Sequence, residues 1–168
     1  MNIKNNHNKT FSRREASKLI AGTAIASFLT PSLMSFNQKT MNERKIHSTG
    51  ELLPIVGLGT WQSFDIGNDL HQREQLSEVL INMNELGGKM IDSSPMYGQS
   101  EKVVGELTAK LKIQNKFFYA TKVWIEGKQQ GIAQMNASFQ KMKREAMDLM
   151  QIHNLVDWKT HIKTLKDW

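Results

Sequence analysis

Between Gly88 and Glu101 the chain reads Gly-Lys-Met-Ile-Asp-Ser-Ser-Pro-Met-Tyr-Gly-Gln-Ser-Glu. Besides Lys89 and Glu101 near its two ends, this stretch places two groups that can hold charge or move protons just after its apolar run, the carboxyl of Asp92 and the phenol of Tyr97. The short apolar run Met90-Ile91, entered after Gly87-Gly88, reads as a buried strand with Asp92 at its end. A Ser93-Ser94-Pro95 loop follows, and Ser100-Glu101 can open a helix. An acid and a phenol are thus held at the C-terminal mouth of a strand, where α/β enzymes carry their catalytic groups. Lys122 and His153 stand at the ends of two later apolar runs. Taken singly, each of the four has a plain structural explanation. Asp92 and Lys122 could form only a buried ion pair, Tyr97 could be a packed aromatic with its hydroxyl satisfied, and His153 a hydrogen-bonded core histidine. His7, His47, His71 and His161 lack ligand-like spacing with one another or with acids, so no metal is expected.

The elements that must position these groups alternate regularly. A polar Ser-Thr-Gly turn between short apolar flanks predicts a hairpin over Lys45 to Pro54. Ile55 to Leu58 is the first strand. Leu76, Val79, Leu80, Met83 and Leu86 recur at three- and four-residue steps and predict a helix from Asp69 to Glu85. Gly87-Gly88 ends it. Met90 to Asp92 is the second strand, and Ser100 to Leu111 a helix packed through Val103, Val104, Leu107 and Leu111. Phe117 to Val123 is the third strand. Lys128 to Arg144 is a helix with Ile132, Met135, Phe139 and Met142 on one face, and Met147 to His153 is the fourth strand. Trp158, Ile162, Leu165 and Trp168 form the apolar stripe of a last helix, and these stripes read as core. Strict strand–helix alternation argues for a parallel sheet with right-handed crossovers.

Four motifs in this order resemble the aldo/keto reductase family: Gly57-Leu58-Gly59-Thr60-Trp61, Ile91 to Glu101, Ala120-Thr121-Lys122-Val123-Trp124, and Leu149-Met150-Gln151-Ile152-His153-Asn154. The resemblance runs from about Lys45 to Trp168. It implies an α/β fold, the N-terminal half of a (β/α)8 TIM barrel, with a β-hairpin and four βα units and therefore incomplete. A full barrel needs about 250 residues, against 168 here. It implies NADPH-dependent reduction of aldehydes or ketones to alcohols. Tyr97 would be the proton donor, Lys122 the ammonium that favours its phenolate, and Asp92 the partner of Lys122. His153 would hydrogen-bond the substrate carbonyl. Gly59, Thr60 and Asp92 would meet the nicotinamide ribose, and Trp61, Trp124 and His153 the substrate. Asn154 stands where many relatives carry an aromatic, which changes the third wall of the pocket. The family grips the rest of NADPH through strands five to eight, so the isolated chain is expected to be inactive unless a second half-barrel or self-association through its open sheet edges completes it. The alternative is a non-catalytic half-barrel or interaction module that retains the ancestral site.

Charge and composition bound the rest. Five of the 22 Lys and Arg lie within the first 38 residues, against Glu15 alone. The formal charge of +6 therefore belongs mostly to that segment, and no basic helix interleaved with aromatics calls for nucleic acid. Cysteine is absent, which excludes disulfides and thiolate metal sites. Residues 1–38 read as a separate segment. Arg13-Arg14 precedes the mild apolar run Leu19 to Leu29, a pattern resembling a twin-arginine export signal that Pro31 ends. The run falls short of the roughly 20 apolar residues of a spanning helix, so membrane contact is expected only through this signal, cleaved or uncleaved, and a periplasmic or exported location is expected. The alternative is a disordered basic tail with a chance Arg-Arg pair and a cytoplasmic location. Residues 39–168 would form the barrel domain.

Overall fold

The computed structural model describes residues 41–167. The segment expected to direct export lies outside the described residues. The hairpin pairs β1 (Glu43–Lys45) with β2 (Leu52–Pro54), antiparallel, in the register Glu43 with Pro54 and Lys45 with Leu52. Four parallel strands follow in sequential order: β3 (Leu58–Gly59), β4 (Met90–Asp92), β5 (Phe118–Val123) and β6 (Leu149–Ile152). Between and after them run α1 (Leu70–Glu85), α2 (Ser100–Leu111), α3 (Lys128–Met142) and α4 (Trp158–Asp167). This is the expected hairpin and four βα units.

Local chemistry sets the helix ends. The Asp69 carboxylate accepts from Gln72 N at 2.9 Å and so caps α1. Lys112 and Lys143 stop α2 and α3 in the left-handed conformation. The core lies between the sheet and the first three helices, where Phe64, Leu80, Ile91, Val103, Val104, Leu107, Phe117, Tyr119 and Met142 are buried together. Truncating Leu107 to Ala in such packing costs about 2–5 kcal/mol. α2 and α3 approach so closely that a Cβ at Gly105 would collide with the backbone of Lys141 and Met142.

Three expectations need correction. The first barrel strand is Leu58–Gly59 rather than Ile55 to Leu58, and Ile55 and Val56 are more than half exposed. Its partner β4 begins at Met90 and meets Leu58 through Ile91, so residues before Leu58 find no ladder there. The fourth strand stops at Ile152, and His153 opens a short 3-10 turn. The stripe on α4 is core only in part: Trp158 and Ile162 are exposed and Leu165 is half-buried, Trp168 lies outside the described residues, and it is His161 and Thr164 that are buried. Gly131 on α3 leaves room for the His161 ring, and His161 Nε2 donates to Ile125 O at 2.6 Å. A bonded imidazole, not an aliphatic side chain, thus fills the α3–α4 contact.

Candidate active site

Register brings the polar groups to one face. Asp92 is level with Ala120, and Lys122 with Gln151. Side chains alternate along a strand, so Lys122, two beyond Ala120, shares the face of Asp92, and His153, two beyond Gln151, follows them. The residues between, Ile91, Tyr119, Thr121 and Val123, point to the helices and are fully buried.

The contacts bear out this register. Lys122 Nζ donates to Asp92 Oδ2 at 2.6 Å and to Ser93 O at 2.7 Å. Gln151 Nε2 donates to Asp92 Oδ1 at 2.9 Å, so both carboxylate oxygens are held. The ammonium lies 5.1 Å from the centroid of the Tyr97 ring. His153 meets that ring edge-on, 5.7 Å between centroids. Ser94 Oγ stands 2.9 Å from His153 Nδ1. Partial burial, and then the positive charge of Lys122, hold His153 below its usual range against a smaller opposing effect of Asp92. The neutral ring therefore predominates at pH 7.

The loop that carries Tyr97 is fastened from β3. Thr60 is fully buried, and its hydroxyl lies 3.0 Å from Asp92 O and 2.9 Å from Ser93 Oγ. Its carbonyl accepts from Ser100 Oγ at 3.1 Å, so Thr60 spends its polar groups inside the protein. Asp65 Oδ1 accepts from Gln99 N at 2.8 Å, and a Cβ at Gly98 would strike the Asp65 carboxylate. Gly98, at φ +57°, is the residue that lets the chain turn there.

Two exposed tryptophans flank the rings. Trp61 lies 6.5 Å from Tyr97 and Trp124 6.4 Å from His153, at 63% and 40% exposure, so neither is a core residue. Gln134 holds the backbone of Trp124 at both N and O. Beyond His153 the chain bends through Asn154, Leu155 and Asp157, all with positive φ. Leucine rarely adopts that backbone, which marks a strained turn at the edge of the site. Among the described residues no group of three or more His, Cys, Asp and Glu is placed to hold a metal.

Tyr97, Lys122, Asp92 and His153 therefore meet at the C-terminal rim of a parallel sheet, with Gly59 beside Asp92 on the next strand. Gln151, Ser94 and Asp65 were missed from the sequence. Alternation could have revealed Gln151, two residues before His153 on one strand. Nothing in the sequence pairs Ser94 with a histidine 59 positions away.

A sequence model of the aldo/keto reductase family matches residues 55–167. The chain belongs to the aldo/keto reductase family. Methylglyoxal reductase YeaE of Escherichia coli (strain K12) is 36% identical over 118 residues, covering 67% of this chain and 40% of that protein. Aldehyde reductase YPR1 of Saccharomyces cerevisiae (strain ATCC 204508 / S288c) is 26% identical over 117 residues, 70% of this chain and 34% of its own length. The chain thus spans well under half the length of these curated relatives. Among solved structures, the thermostable aldo-keto reductase Tm1743 in complex with the inhibitor epalrestat superposes with a TM-score of 0.64 at 21% identity, covering 76% of this chain and 49% of that one. An aldo-keto reductase from Klebsiella pneumoniae in complex with NADPH gives a TM-score of 0.62 at 22% identity, with 76% and 45% covered. These likenesses establish the (β/α)-barrel type of fold, of which this aldo/keto reductase chain spans about half.

Proposed function

We propose that this aldo/keto reductase reduces a small aldehyde or ketone to its alcohol with NADPH. The observation that carries the reading is the Lys122 ammonium, 2.6 Å from Asp92 and 5.1 Å from the Tyr97 ring, on the rim it shares with His153. The residues present fit the nicotinamide-ribose end of the cofactor. Asp92 is one-third exposed and can accept from a sugar hydroxyl. At Gly59 an added Cβ would meet nothing within 4 Å, which leaves open space beside that carboxylate. Thr60 would act from behind, holding the Asp92 and Ser93 backbone. NADPH, when bound, supplies the hydride.

The chain's own residues handle the proton and the geometry. Tyr97 O–H donates to the carbonyl oxygen as negative charge develops there. Lys122 stabilises the phenolate left behind, and Asp92 with Ser93 O fixes the direction of the ammonium. Neutral His153 donates a hydrogen bond to the same oxygen. Trp61 and Trp124 wall the substrate, and the methylglyoxal and aldehyde reductases among the relatives support a short carbonyl compound.

The test is NADPH fluorescence titration followed by turnover with methylglyoxal. Tyr97→Phe should bind cofactor normally and lose at least about 100-fold in kcat, the share of a positioned acid. Retained turnover in that variant would overturn the assignment. The cofactor's diphosphate and adenosine contacts belong, by family resemblance, to strands five to eight, so a second four-strand unit is part of the active form.

A second reading is supported by exposed apolar surface just before β3. Ile55 and Val56 are exposed beside an apolar cavity of about 250 Å³ lined by Met41, Leu58, Val79, Met83 and Leu86. In this reading the half-barrel is an association module, and a monomer by light scattering at high concentration would count against it. We also propose export through the Arg13-Arg14 segment.

A further inference from the structure

Ser94 and His153 come from different strand ends, and their contact does more than hold two loops together. Ser94 is fully buried, with its Oγ 2.9 Å from His153 Nδ1. Met96 N–H points at the same oxygen, at 3.4 Å, and occupies one of its lone pairs. A serine hydroxyl has a single hydrogen to give. Among the described residues the acceptor in its reach is His153 Nδ1, and burial denies it solvent. If Nδ1 carried the proton instead, the hydroxyl hydrogen would be left buried without a partner, which is more costly than a made bond is favourable.

We infer that Ser94 is a positioning residue: its hydroxyl donates to His153 Nδ1, fixes the proton of the neutral imidazole on Nε2, and turns that N–H toward the reacting carbonyl. The consequence for catalysis rests on the carbonyl-reduction reading; the tautomer does not. Partial burial, and after it the positive charge of Lys122, disfavours a second proton on the ring. His153 then presents a donor, not an acceptor, to the substrate oxygen, which is the polarity that reduction of a carbonyl demands. Asp92 reaches Lys122 and Gln151 instead of the imidazole. The orienting partner of this histidine is therefore a hydroxyl rather than a carboxylate.

The experiment is nitrogen-15 NMR of the full chain labelled at histidine, with His153 assigned by comparison with His153→Gln. The wild type should carry the His153 proton on Nε2 with Nδ1 bare. In Ser94→Ala the ratio of Nε2–H to Nδ1–H should fall by roughly threefold to tenfold, the equilibrium worth of one neutral hydrogen bond. Ser94→Thr, which keeps the hydroxyl, should hold the wild-type ratio. Should the alanine variant not fold, Ser94→Cys replaces it, since the thiol is a weak donor of similar size. A wild-type proton on Nδ1, or a ratio unchanged within twofold in Ser94→Ala or Ser94→Cys, would overturn the inference. A shifted tautomer with unchanged kcat would instead leave it standing and refute the role given to His153 in carbonyl reduction.

Discussion

Lys122 is the residue on which stability and chemistry converge, and replacing it with methionine is the sharpest perturbation. Its ammonium makes two charge-assisted hydrogen bonds, 2.6 Å to Asp92 Oδ2 and 2.7 Å to Ser93 O, with the side chain 11% exposed. At the first distance the gross attraction is about 6 kcal/mol for an effective dielectric constant of about 20, much of it offset by desolvation. Removing one partner of a buried pair costs about 3–5 kcal/mol. Here Asp92 is one-third exposed and keeps Gln151, so it rehydrates, whereas Ser93 O is buried and loses a donor. Lys122→Met should therefore destabilise the chain by about 2–3 kcal/mol, at or below the lower end of that range. The assay is urea unfolding of wild type, Lys122→Met, Asp92→Asn and the double variant. The coupling energy should be about 1–2 kcal/mol, with unchanged denaturant slopes. Strictly additive effects of the two single changes would refute the claim that the pair is a structural and electrostatic unit.

Other perturbations test the histidine, two glycines and the N-terminal segment. His153 should titrate below its ordinary value of 6.5, its midpoint rising in Lys122→Met and falling further in Asp92→Asn, read by NMR. Because the unfolded chain then binds this proton more readily, His153 lowers stability as pH falls below about 6.5, measurable as a shift in unfolding midpoint. Gly105→Ala should cost about 1–3 kcal/mol by forcing α2 from α3; Gly59→Ala, with open space around it, should leave thermal stability unchanged and weaken NADPH in the fluorescence titration. Replacing both Arg13 and Arg14 by Lys should abolish export in a fractionation experiment, and undiminished delivery by that variant would defeat the export proposal.

The order of elements was legible because strands and helices announce themselves by period, and the four motifs each close a strand. Boundaries were less so. Ile55 and Val56 are as β-branched as any strand, yet β3 begins at Leu58, since ladder formation depends on where β4 starts. The last helix shows the limit of periodicity more clearly. Its apolar stripe was correctly spaced, but Trp158 and Ile162 face outward while His161 packs over Gly131. Spacing reveals a face and not its partner.

Residue types and their order determined by themselves that an acid and a phenol follow one strand and that an amine and an imidazole stand at the ends of the next two, because alternation and turn chemistry are local properties of the chain. Their meeting was a tertiary decision. The parallel register sets Asp92 level with Ala120 and Lys122 level with Gln151, and that alignment closes the contacts around Asp92. Thr60 and Ser94 took their roles the same way, as braces whose bonds span 32 and 59 positions. Such bonds depend on how neighbouring strands slide past one another, and no short stretch of sequence contains that information.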